Sequence, residues 1–170
     1  MNLASFFSPI DDRWFEDYVP GSRVEFGPIK VSEGEILSFA RRYDPQAMHV
    51  DPDKAAKGVF GGLIASGWHT AGLMMRAYAT EYLSAASSIA SPGIDELRWP
   101  APVRPGDTLK VRVTVLEARA SRSKPDRGII RSRIEVLNQM GDVVMSMLAT
   151  NVVYRRERGA APAAPQSAGG

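Results

Sequence analysis

Apolar and polar positions recur at helical spacing through the first half of the chain and alternate as in strands through the second. Residues 22–31 (SRVEFGPIKV) read as an extended strand bent at Gly27-Pro28. Ser32-Glu33-Gly34-Glu35 has the form of a capping box, and behind it Ile36, Phe39, Ala40 and Tyr43 return at helical spacing. Pro45 disfavours helical backbone at Asp44, so the helix is predicted to stop at Tyr43 or Asp44. That leaves the Asp44 carboxylate at a helix end running into a loop. Residues 45–62 read as loop, with Pro52 opening a short helical turn through Lys57. From Ala65 to Ser84 the chain is rich in Ala, Met and Leu and apolar on most faces, which predicts a long buried central helix.

After a small-residue loop from Ser84 to Ser91, Ile94 to Trp99 reads as a strand and Pro100 to Pro105 as a rigid turn. Thr108 to Ala118 alternates strictly, with Leu109, Val111, Val113 and Val115 on one face. Gly128 to Leu137 is a further strand, Asn138 to Asp142 a hairpin turn, and Val143 to Arg155 completes an antiparallel meander. The order is strand, helix, loop, long helix, then four strands. This predicts an α+β domain in which an antiparallel sheet curls around one apolar helix. Three segments follow: an irregular arm over 1–21 that packs on the body or on a partner, the domain over 22–156, and a disordered Ala/Pro/Gly/Ser tail over 157–170.

Composition narrows the chemistry more than the fold. A chain of 170 residues with 44% hydrophobic and 24% charged residues is sized for one ordinary globular domain. There is no cysteine, which removes disulfides, thiolate metal sites and thiol nucleophiles and fits a reducing, cytoplasmic setting. The formal charge of +2 is small and its basic residues are scattered, so no nucleic-acid partner is expected. No stretch approaches the ~20 apolar residues of a membrane span. The opening residues lack the basic lead of a signal peptide. No membrane association is expected.

Only two histidines are present, His49 and His69. Asp44 lies five residues before His49, across the rigid Pro45, so both can reach one small cavity. An imidazole that titrates near neutrality, beside a carboxylate, can take a proton from water and return it elsewhere. The run Gly61-Gly62-Leu63-Ile64-Ala65-Ser66-Gly67-Trp68-His69 is a glycine-rich turn entering the long helix. Amides at a helix start favour negative charge, as on the oxygen of a thioester enolate, and the bare Cα of Gly67 permits close approach. Each feature also has a plainer explanation. The glycines allow close helix–sheet packing, Met74 and Met75 are ordinary core filling, and His69 reads as a satisfied core residue. No third ligand accompanies the two histidines, so no metal is assigned.

Together these segments resemble the MaoC-like dehydratases and the (R)-specific enoyl-CoA hydratases. The family pattern is a helix, then Asp-x-Asn-Pro-(Leu/Ile)-His-x-Asp, then a Gly-rich segment ending in His/Ser-Gly. Here the corresponding residues are Asp44-Pro45-Gln46-Ala47-Met48-His49-Val50-Asp51 and Gly61 to Gly67. Asp95 to Trp99 and Val103 to Leu109 match the family's strand, Pro-rich turn and Pro-Gly-Asp entry to the next strand, so the likeness covers roughly 22–155. The resemblance implies a hot-dog fold and a homodimer, open to higher assembly, with an acyl-CoA tunnel at the interface. It implies that Asp44 and His49 activate one water for reversible hydration of an enoyl thioester. Gly67 would hold the thioester oxygen, with Ser66 and Gln46 beside it in oxyanion or substrate contact. Acyl-CoA is then a substrate, and no cofactor or metal is required. Gln46 and Ala47 depart from the family Asn-Pro. A hot-dog thioesterase and a non-catalytic acyl-binding protein stand as alternatives; against the thioesterase, the long helix carries no acid between Gly67 and Thr80.

Overall fold

The computed structural model describes residues 8–156. Residues 1–7 of the predicted arm and the predicted tail over 157–170 lie outside the described residues. The elements are β1 (Arg23–Lys30), α1 (Glu33–Tyr43), α2 (Ala47–Val50), α3 (Pro52–Ala56), α4 (Gly67–Glu81), β2 (Ser88–Arg98), β3 (Thr108–Ala120), β4 (Arg127–Leu137) and β5 (Val143–Tyr154). The five strands form one antiparallel sheet in the order β1-β3-β4-β5-β2.

Alternation sets the register. Val24, Val113, Ile134 and Met147 lie side by side across β1, β3, β4 and β5, so one row of apolar side chains crosses the sheet. Leu109, Val111, Val113 and Val115 are all at most 1% exposed, and they meet Met74 and Tyr78 of α4 in the core. The predicted bend in β1 is a register shift between Phe26 and Ile29. Gly27 sits there with φ +131, and a Cβ would come within 2.9 Å of the Leu109 carbonyl oxygen. Only glycine fits.

Three expectations change. The last four strands are not a meander in chain order. β3, β4 and β5 are consecutive, but β2 lies beyond β5 at the far edge, and β1 takes the place next to β3. β2 also starts at Ser88, inside the stretch predicted as loop, because Ser88 and Ala90 pair with Val153 and Val152 of β5. Finally, α4 is buried on one face only. His69, Thr70, Met74 and Tyr78 point inward, whereas Trp68 is 59% and Met75 45% exposed.

The described part of the arm packs against the body through two 3-10 turns (Ile10–Asp12 and Phe15–Asp17). Arg13 donates to the Tyr82 carbonyl at 2.8 Å, and the Tyr18 hydroxyl donates to the same oxygen at 3.2 Å. Both fall at the carboxyl end of α4, where carbonyls lack intrahelical donors and cations are favoured. Two buried polar pairs join the α4 end to the sheet: Tyr78 donates to Asn151 Oδ1 at 2.8 Å, and the Tyr82 and Ser132 hydroxyls lie 3.0 Å apart.

Candidate active site

Asp44 caps α1. Its backbone N–H donates to the Ala40 carbonyl, and its φ of −149 leaves the helix as Pro45 requires. The start of α1 is equally local in origin: Ser32 and Glu35 exchange the two bonds of a capping box. From this stop the chain turns through Gln46, the N-cap of α2, and presents His49 in the next turn.

His49 is 5% exposed. Its Nδ1 lies 2.8 Å from the Ile64 carbonyl oxygen. A carbonyl only accepts, so Nδ1 carries a proton, and in the tautomer with that single ring proton Nε2 keeps its lone pair. Nε2 faces Asp44 Oδ2 at 3.5 Å, beyond ordinary hydrogen-bond length. Two acceptors thus face each other across a gap. The segment holding the Ile64 carbonyl is fixed at both sides, by Ile64 N–H to the Met48 carbonyl (3.2 Å) and Ala65 N–H to the Val103 carbonyl (2.8 Å).

Ser66 and Gln46 both turn to the Asp44 carboxylate. The Ser66 hydroxyl donates to Oδ2 at 2.7 Å and, as N-cap of α4, accepts from Trp68 N–H at 3.2 Å. The Gln46 amide donates to Oδ1 at 2.7 Å. These donors, Gln46 first and then Ser66, hold the Asp44 carboxyl below its ordinary value against the opposing effect of burial, with His49 adding a smaller lowering. The family resemblance implied Ser66 and Gln46 beside the thioester oxygen; in the structure both donate to the Asp44 carboxylate. A serine just before a helix-opening glycine is an N-cap signal, and Ser66 carried it unread.

Gly67 opens α4, so its N–H has no acceptor within its own helix. Its bare Cα is occupied by an indole: a Cβ there would lie 2.5 Å from Cε2 of Trp99. Trp99 in turn meets Trp68 edge-on, ring centroids 5.3 Å apart. No spacing signal marked Trp99 for this position. Beside it lies an apolar cavity of about 350 Å³, lined among others by Met48, Phe60, Ile64, Gly67, Trp99 and Val103. Asp44 and His49 border the same turn without lining that cavity.

His69 is not a partner in this arrangement. It stacks on Phe39, centroids 5.1 Å apart, and is 6% exposed. It is a core residue as expected, but not a satisfied one, since its Nδ1 has no hydrogen-bond partner among the described residues. Burial holds it below the usual imidazole range, opposed by the charge of Glu35. Among the described residues no group of three or more His, Asp or Glu side chains is gathered as a metal site requires, and no helix is long and apolar enough to cross a membrane.

Comparison with known proteins places this geometry. The family model described as "MaoC like domain" matches residues 17–136. The uncharacterized protein YdeM of Bacillus subtilis is 33% identical over 124 residues, covering 73% of this chain and 86% of that protein. A 3-hydroxybutyryl-CoA dehydratase of Methylorubrum extorquens is 30% identical, with 92% and 94% covered. A mesaconyl-CoA hydratase of Cereibacter sphaeroides is also 30% identical over 92% of this chain, which spans only 46% of that longer protein. The crystal structure of a MaoC-like dehydratase from Rhodospirillum rubrum superimposes with a TM-score of 0.80 at 43% identity, covering 85% of this chain and 99% of the other. RV0216 of Mycobacterium tuberculosis, described as a double hotdog fold, superimposes at 0.76 over 91% of this chain and 48% of its own, at 18% identity.

Proposed function

The chain belongs to the MaoC-like domain family and has its hot-dog fold, and on that premise we propose that it is a hydro-lyase adding water reversibly to an enoyl thioester, with acyl-CoA as substrate. The observation that carries the reading is the pair of facing acceptors, Asp44 Oδ2 and His49 Nε2, 3.5 Å apart, with the His49 tautomer held by Ile64. One water between them can donate one hydrogen to each, which points a lone pair of its oxygen outward at a substrate carbon. In the forward step the water gives a proton to Asp44 and its oxygen bonds the β-carbon. The π electrons move through the α-carbon to the thioester oxygen, where the Gly67 N–H stabilises the enolate. Asp44 then returns the proton to the α-carbon as the carbonyl reforms. Dehydration retraces the path. The apolar cavity beside Gly67 offers room for the acyl chain.

The assay is loss or gain of enoyl-thioester absorbance with a panel of acyl-CoAs. Wild-type protein is expected to hydrate at least one 2-enoyl-CoA, and His49→Ala and Asp44→Asn to lose that activity while keeping the fold. Release of free CoA thiol without hydration would instead support the thioesterase reading, and binding without turnover that His49→Ala leaves unchanged would support an acyl-binding role.

We propose further that the working unit is a homodimer. Among the described residues, β2 pairs with β5 on one side and with no strand on the other. Along it Ile94 is 46% exposed, and α4 adds Trp68 and Met75. An open strand edge and exposed apolar side chains are both covered economically by a second copy of the chain. Sedimentation is expected to give a dimer that Met75→Arg dissociates. A wild-type monomer at all concentrations overturns it.

A further inference from the structure

Gln46 makes three bonds that tie the two candidate catalytic residues into one unit. Its backbone N–H donates to the Asp44 carbonyl at 2.8 Å, and its own carbonyl accepts from His49 N–H at 2.8 Å. Its side-chain amide donates to Asp44 Oδ1 at 2.7 Å. Ser66 occupies Oδ2, the oxygen that also faces His49. The two carboxylate oxygens are therefore unlike: one is tied down by an amide on the same turn, the other faces the imidazole.

From this geometry we infer that Gln46 is a positioning residue for Asp44 rather than a ligand of the thioester, reserving Oδ1 so that Oδ2 is the oxygen that exchanges protons. The inference rests on the hydratase reading. The Gln46 amide reaches back over one residue to the carboxylate, and an asparagine at this position would carry its amide one methylene nearer the backbone. A donor on Oδ1 favours the ionised form, so its removal makes Asp44 easier to protonate and carries the acid limb of the rate profile to higher pH.

The test compares wild type with Gln46→Leu, which keeps the backbone bonds and removes the donor, and with Gln46→Asn, which keeps an amide and shortens the arm. Both are expected to lower kcat about tenfold at neutral pH, to leave KM for the enoyl-CoA within about twofold, and to move the acid limb of kcat/KM upward. A rise in KM with an unmoved acid limb assigns Gln46 to the thioester and overturns the proposal, as does wild-type behaviour in both variants. A second readout is independent of turnover. In protein labelled with 13C at the Asp side-chain carboxyls, the Asp44 resonance, identified by its loss in Asp44→Asn, titrates at higher pH in Gln46→Leu. If wild type hydrates nothing, the hydratase reading fails while this titration still decides the role of Gln46; an unmoved Asp44 titration sinks the inference whatever the enzyme does.

Discussion

Replacing Gly67 by alanine tests the link between the packing at the start of α4 and the site. In an open helix the change would help, since glycine costs roughly 0.5–1 kcal/mol relative to alanine. At Gly67 the new methyl meets Cε2, Cδ2 and Nε1 of Trp99 at 2.5, 2.6 and 2.9 Å. Overpacking of this kind costs roughly 1–3 kcal/mol. The net is a loss of about 1 kcal/mol, or a Tm lower by about 2–4 °C for a chain of this size. Gly34 in the first turn of α1 is the control. Its Cβ would meet nothing within 4 Å, so Gly34→Ala is expected to raise Tm slightly. Thermal melts of the two variants should move in opposite directions, and in a Trp99→Ala background Gly67→Ala should no longer lower Tm. Hydration activity should fall in Gly67→Ala, since the methyl and the displaced indole crowd the proposed oxyanion amide. Equal upward shifts for both glycines, or a Gly67→Ala loss that persists in the Trp99→Ala background, would show that the indole does not rest on Gly67 and would refute the reasoning.

The remaining expectations follow from single contacts. His49→Ala and Asp44→Asn should each lower hydration by about 10²–10⁴-fold with unchanged circular dichroism. Ser66→Ala removes a donor from the Asp44 carboxylate and the N-cap of α4, a loss of roughly 1–2 kcal/mol at neutral pH in urea titrations. Because the folded Asp44 pKa is depressed, the stability it adds is present above the unfolded carboxyl value near ~3.9 and is lost as pH falls through the folded value. The gap between Ser66→Ala and wild type should therefore narrow in acid, and a gap that widens there contradicts the ionised Asp44. Tyr78→Phe leaves Asn151 Oδ1 buried without the Tyr78 donor. It should lower stability by roughly 1–3 kcal/mol, read from chemical denaturation, with little change in hydration kinetics.

Local signals in the sequence carried the elements that local physics decides. Ser32 and Glu35 mark the start of α1 and Pro45 its end, and both are visible in the residues themselves. The strict alternation of Leu109 to Val115 likewise specifies a half-buried strand whatever lies beside it. Strand order is different. Nothing in Ser88 to Arg98 states that its partner is β5 rather than β3, because pairing is a property of two distant segments. The bland composition of its first residues hid that they are paired at all. The exposure of Trp68 and Met75 shows a related limit: an apolar helix face signals that something covers it, not what. At the site, the spacing of Asp44 and His49 and the glycine turn were legible as a group. The aim of the individual donors was not. Whether the Ser66 hydroxyl and Gln46 amide turn to a thioester or to a carboxylate depends on how the start of α4 is placed against the Asp44 turn, which no local pattern states.

The first and last described segments of the chain are clasped together. Arg156 pairs with Asp12 and Asp17, both at about 3 Å, Arg155 pairs with Glu16 at 3.0 Å, and Ser8 donates to Asp17 at 2.6 Å. A short peptide joining these segments would close only a small loop, at little entropic cost, so the fold is suited to circular permutation. New ends could be opened in the exposed turn at 122–125 between β3 and β4. The stretch from Asp44 to Gly67 would then remain unbroken and the α4 cap would stay covalently attached. In such a rearranged chain the arm would follow directly after the arginines it pairs with.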